Sequence, residues 1–219
     1  MAHDIRLEWE FPREDHDIRN CSAWVWRGEE KQCLYYVKTS FYSAFNLSSQ
    51  WPTGSHHLPI LPFPDRATSV PNRNTRDWIY SIFSLNTYCF KVNLSANPPF
   101  PQQFCRLEWK PNKRHGIVWF ENKPGVEFND MLRKSRAESK SRKFVASDGA
   151  EYKWKQAGPD DRDLECFPPP TLFIQRGSIA TWAANSKSLT VTPGGQAIMD
   201  DLVCMLLIHL WRLKWGHTF

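Results

Sequence analysis

Almost none of the patterns that carry enzyme chemistry occur in this chain. There is no Gly-x-Ser-x-Gly elbow, no Walker loop and no dinucleotide glycine pattern, so the nucleophile turn of a hydrolase and the common phosphate cradles are missing. The six cysteines, Cys21, Cys33, Cys89, Cys105, Cys166 and Cys204, are scattered without a CxxC pair, which argues against a structural zinc site. Asp160, Asp161 and Asp163 lack the spacing and the closing Glu of an EF-hand and read as turn solvation. His56 and His57 are adjacent, but two neighbouring imidazoles alone do not make a metal site. No Ser or Cys has neighbours that would activate it. The sequence therefore predicts a non-enzyme with no cofactor and no metal. Its first ten residues, MAHDIRLEWE, contain no apolar signal core, which predicts an intracellular, cytoplasmic chain with reduced thiols. Glycine is scarce, ten residues against sixteen prolines, and proline at that density interrupts long helices.

Large rings are plentiful. Eleven Trp and fourteen Phe favour pleated, half-buried surfaces, so strands should dominate. Hydrophobic residues at 41% and charged residues at 23% suit a globular core, read here as a single domain over 1–219. A net charge of +5 permits an acidic partner but falls short of a nucleic-acid module. Leu7, Trp9 and Phe11 alternate with charged residues as on a half-buried strand,. Ala23 to Arg27 and Cys33 to Lys38 flank a turn at Gly28 to Lys31,. From about residue 43 to 101 the chain becomes rich in Pro, Ser and Asn. That segment reads as a loop-rich insertion, or in part as translated intron, with one strand pair inside it at Trp78 to Phe83 and Thr87 to Val92. Arg106 to Trp109 and Gly116 to Phe120 resume the alternation across a turn at Pro111 to Arg114. Asp148-Gly149 then marks a hairpin between Phe144–Ala146 and Tyr152–Trp154, since glycine supplies the positive φ such a turn needs. Leu164–Phe167, Thr171–Gln175, Ile179–Ala183 and Ser188–Thr192 follow as short strands.

The last element differs. A core helix is predicted over about 194–213, capped by Thr192 with Pro193 in its first turn,. Asp200 and Asp201 early and Arg212 and Lys214 late complement the helix dipole,. Leu202, Val203, Met205, Leu206, Leu207, Ile208, Leu210 and Trp211 cover the axis nearly all round, as in a helix enclosed on every side. The ten-residue apolar run rises only ~15 Å, half of a bilayer core of about 30 Å, so enclosure is favoured over a tail anchor. His209 within it reads as a hydrogen-bonded core histidine.

The stretch Ser141 to Lys155, SRKFVASDGAEYKWK, resembles the central motif of a fungal (basidiomycete) domain family of unknown function, family 6593, related to tubby-like and LURP-one-related barrels. Ile198 to Val203 resembles that family's lead into its apolar helix, and Arg106 to Trp109 fits its upstream strand. The resemblance covers Cys105 to the C-terminus well and Leu7 to Lys38 more loosely. It implies an all-β fold, a tubby-like closed antiparallel β-barrel around a buried C-terminal helix, and no established activity.

One charged feature stands out. Arg133, Lys134, Arg136, Lys140, Arg142 and Lys143 crowd a short stretch opposed only by Glu138. Some tubby-like barrels bind phosphoinositide head groups through basic side chains, and a basic residue near an anionic membrane contributes about 1 kcal/mol. The stretch is therefore a candidate lipid or anion site, against the plainer reading of a solvated loop. The expected protein is a monomeric binding domain for an anionic membrane surface or a protein partner. The alternative is a scaffold that uses exposed aromatics.

Overall fold

The computed structural model describes residues 3–11, 20–27, 29–40, 85–96, 98–109, 116–121, 123–134, 136, 139–170 and 177–214. The strands are β1 (Ile5–Glu10), β2 (Cys21–Arg27), β3 (Glu30–Ser40), β4 (Leu85–Asn93), β5 (Phe100–Trp109), β6 (Gly116–Phe120), β7 (Val126–Glu127), β8 (Arg133–Lys134), β9 (Ser141–Val145), β10 (Glu151–Ala157), β11 (Asp163–Phe167), β12 (Ala180–Ala183) and β13 (Ser188–Val191). A short helix α1 (Phe128–Met131) links β7 to β8, and a 3-10 turn (Pro193–Ile198) leads into the long helix α2 (Met199–Lys214).

All thirteen strands belong to one antiparallel sheet in the order β7-β6-β5-β4-β3-β2-β1-β13-β12-β11-β10-β9-β8. Strands consecutive in the chain are neighbours in the sheet except β7 and β8, which form its two edges, and the ladder between β1 and β13 joins the two meanders. The alternation read from sequence sets the inner face: Leu7 and Trp9 on β1, Leu107 and Trp109 on β5, Tyr152 and Trp154 on β10, and Leu189 and Val191 on β13 are all buried. Period two does this because successive side chains leave opposite faces of a strand.

Among the described residues the sheet does not close into the barrel implied by the resemblance. The edges are β7 and β8, two residues each, and no ladder joins them among the described residues. α1 lies between them in sequence and packs against β6, β7 and β9. Strands this short, bridged by a helical turn, place a side-chain seam where a closed barrel would have hydrogen bonds. The sheet is therefore rolled but open.

Inside it lies α2. Residues Met199, Leu202 to Leu207, Ile208, His209 and Trp211 are buried, and Leu210 is partly exposed. The helix touches widely separated strands: Cys204 Sγ is 3.5 Å from Cys105 Sγ on β5, Trp211 packs on Trp109 at 4.5 Å between centroids, and His209 lies edge-on to Trp154 of β10 at 6.0 Å. Each large apolar side chain enclosed this way stabilises the fold by about 1.5–3 kcal/mol. The helix begins later than its sequence signals suggest. Thr192 makes no side-chain cap, and its hydroxyl donates to the Ile179 carbonyl at 3.2 Å instead. All six cysteines are free and buried.

Of the strand pair read in the Pro-rich segment, Thr87 to Val92 lies within β4. Trp78 to Phe83, Thr171 to Gln175, the Pro111 to Arg114 turn and His56-His57 fall outside the described residues.

Candidate functional site

The hairpin between β9 and β10 organises the basic residues. Its three-residue loop, Ser147-Asp148-Gly149, turns through a Gly149 N–H to Ala146 carbonyl bond of 3.0 Å and a left-handed Gly149 with φ +81°. A loop of three with glycine in that region fixes the strand register. Asp148 accepts from the Ala150 N–H at 2.9 Å and from the Tyr152 hydroxyl at 2.7 Å, which stiffens the turn. Lys143 then stands opposite Lys153 and Arg142 opposite Trp154. The short β8 adds Arg133 opposite Lys143 and Lys134 opposite Arg142.

The six predicted residues are therefore divided between environments. Arg133 and Lys143 share the outer face of the sheet, in a row continued by Lys153. Lys134 and Arg142 take the opposite face, that of buried Trp154. Arg136 is exposed between β8 and β9. Lys140 pairs with Asp161 at 2.7 Å with both side chains well exposed, a contact of small energetic weight. Lys153 went unnoticed in the sequence because it belongs to the hairpin motif rather than the basic run; the loop length was the signal that places it beside Lys143.

Among the described residues a single carboxylate serves the row. Glu151 receives Lys143 Nζ at 2.6 Å and lies 3.8 Å from Arg133 Nη2. The Lys143 hydrogen bond, with the charges of Lys143 and Arg133, holds its carboxyl below the ordinary range. The Lys153 ammonium is lowered by partial burial and by the nearby Lys155 and Lys143 charges. Lys155 in turn lies over the Phe167 ring at 4.6 Å.

At the first turn of α2, the two acids predicted to complement the dipole have specific partners. Asp200 accepts the Tyr35 hydroxyl at 2.5 Å and pairs with Lys91 at 3.0 Å. Asp201, itself buried, accepts the Ser147 N–H at 3.1 Å and the Ser147 hydroxyl at 2.6 Å. The hairpin loop is thus moored to the helix. Burial raises the thiols of Cys105, Cys166 and Cys204, and pushes Cys33 up to about 12, and a protonated thiol is unreactive. Among the described residues no group of three His, Cys, Asp or Glu side chains is placed to hold a metal, and no helix is long and apolar enough to cross a membrane.

Fold and site together define an all-β domain, one antiparallel sheet rolled around an apolar helix with a cationic row beside its open edge. The model of the family of unknown function DUF6593 matches residues 65–214, more than half of the 219-residue chain, and the protein belongs to that family. The match begins within the Pro-rich segment, so β1, β2 and β3 lie outside it although the sheet runs through them without a break. No curated protein and no solved structure matches the chain.

Proposed function

We propose that this protein is a non-catalytic binding domain that docks anionic lipid head groups on the outer face of β8, β9 and β10. The observation that carries this reading is the row Arg133, Lys143, Lys153, directly opposed across three strands with Glu151 the one carboxylate paired to it among the described residues. Like charges opposite one another destabilise a sheet, and an anionic surface relieves that repulsion. The motif and apolar helix resemble those of fungal relatives of tubby-like barrels, some of which bind phosphoinositides; that fold-level likeness adds support but little specificity. Docking of this kind needs no reaction, cofactor or metal.

Co-sedimentation tests it. The protein should bind vesicles containing anionic lipid, release as salt rises, and lose most binding when Lys143 and Lys153 are both changed to Gln. Equal binding to neutral vesicles, or an unchanged double variant, would overturn it.

A second reading is a protein scaffold. Trp26 is 51% exposed, and the Lys31 ammonium lies 5.5 Å from the Trp24 ring and 6.0 Å from the Trp26 ring, an aromatic and cationic surface of the kind enriched at protein interfaces. Pull-downs that recover a stable partner, lost on Trp26→Ser and indifferent to lipid, would favour it.

A further inference from the structure

The inner side of the same strands carries a separate group of cations. Arg212, in the last turns of α2, is 5% exposed. Its Nη2 donates to Asn129 Oδ1 of α1 at 2.6 Å, while its Nη1 has no hydrogen-bond partner and no carboxylate among the described residues pairs with it. One turn earlier on the same helix face is His209, fully buried. Trp154 lies edge-on to His209, is fully buried, and has an indole N–H without a hydrogen-bond partner. Arg142 stands beside Trp154 on the same face of the sheet, directly opposite it in register. The groups repel as close neighbours do. Burial and the Arg142 charge lower Arg212 to about 10, and burial with both guanidinium charges drives His209 well below its ordinary value.

A buried guanidinium with an unused N–H and another cation nearby is costly unless an anion completes it. We propose that Arg212 and Arg142, with the Trp154 and His209 rings beside them, bind the phosphate group of a small ligand beneath α1. Two guanidinium forks match the charge and the several oxygens of a dianionic phosphate monoester better than a single carboxylate. The site lies at the seam between β7 and β8. Asn129, which touches Arg212, is exposed, so the guanidinium sits one side-chain layer from solvent and a phosphate reaches it by displacing that amide. The site is independent of the outer row, because alternation places Arg142 and Lys143 on opposite faces of β9.

Thermal unfolding with inorganic phosphate, against chloride at equal ionic strength, tests the proposal. At phosphate a hundredfold above its Kd, the midpoint of the wild-type protein should rise by about 5 °C or more. The rise should vanish in Arg212→Met and persist in the Lys143→Gln, Lys153→Gln double variant. Should Arg212→Met fail to fold, the imidazole signals of His209, assigned with His209→Gln, give a second readout; they should shift on phosphate titration in the wild type and not in Arg142→Gln. Glycerol 3-phosphate and vesicles containing phosphatidic acid then separate a soluble ligand from a lipid head group. A wild-type midpoint and His209 signals that both ignore phosphate would sink the proposal. So would a phosphate response kept by Arg212→Met, or one lost only in the outer-row variant.

Discussion

The Tyr35 hydroxyl on β3 donates to Asp200 Oδ1 at the first turn of α2, across 2.5 Å and 165 residues of sequence. This bond and the Lys91 ion pair to the same carboxylate tie one wall of the sheet to the start of the enclosed helix. Burial, the Asp200 charge and the hydrogen bond raise the Tyr35 phenol above its ordinary range, which keeps it protonated as the donor at neutral pH. Tyr35→Phe removes the donor and keeps the ring. A hydrogen bond to a charged group contributes about 1.5–3 kcal/mol, and urea denaturation should show a loss of that size with an unchanged m-value.

The opposite wall is held by Asp201 and Ser147. Asp201 is buried and takes two hydrogen bonds from one residue of the hairpin loop. Asp201→Ala leaves the Ser147 N–H and hydroxyl without their acceptor and should cost about 2–3 kcal/mol, against about 1 kcal/mol for Ser147→Ala, which spares the backbone bond. Amide exchange should quicken at Ser147 in Asp201→Ala well before the strands of the hairpin open.

These two moorings mark where the sequence stops being legible. The hairpin and the helix could be read because their signals are local: Asp148-Gly149 names the turn, and an apolar run from Leu202 to Trp211 needs enclosure. That Asp200 and Asp201 are bound to strands far away in the chain is a tertiary fact. Locally they look like ordinary dipole complements. The seam was hidden for a different reason, since Val126-Glu127 and Arg133-Lys134 are too short to display any periodicity. The basic run from Arg133 to Lys143 looked like one cluster because a sequence has no faces. Alternation divides it, sending Lys143 outward and Arg142 inward, and brings in Lys153 from the next strand.

Gly116 on β6 and Phe128 of α1 fit together beside the seam. A Cβ at Gly116 would lie 2.3 Å from Phe128 Cε2 and 2.5 Å from the Glu108 carbonyl oxygen, and the Phe128 ring also packs edge-on against Trp109 at 5.1 Å. Gly116→Ala must push α1 outward, with an overpacking cost of about 1–3 kcal/mol. Phe128→Leu makes room at the ring but not at the backbone oxygen. The double variant should therefore be less destabilised than the sum of the singles, by roughly 0.5 kcal/mol or more in a denaturation cycle; strict additivity would mean the two residues do not meet.

His209 should make the folded protein acid-sensitive in a window of its own. Its imidazole is fully buried beside the Arg212 and Arg142 charges, and burial with those charges holds its pKa well below the ordinary imidazole value of 6.5. The unfolded chain therefore takes up a proton below about pH 6.5 that the folded chain refuses, and the stability contributed by the neutral ring is lost as pH drops. The slope is about 1.4 kcal/mol per pH unit, so acidification from pH 7 to pH 5 should cost roughly 2 kcal/mol. Glu151 acts lower, because its depressed carboxyl begins to matter only as pH falls towards the ordinary carboxylate value of 4.5. Urea titrations between pH 7.5 and pH 5 in phosphate-free buffer separate the two groups. The wild-type protein should weaken across that range and His209→Gln should stay flat. An equal slope in both would assign the sensitivity to another group and would mean that His209 is protonated in the folded core.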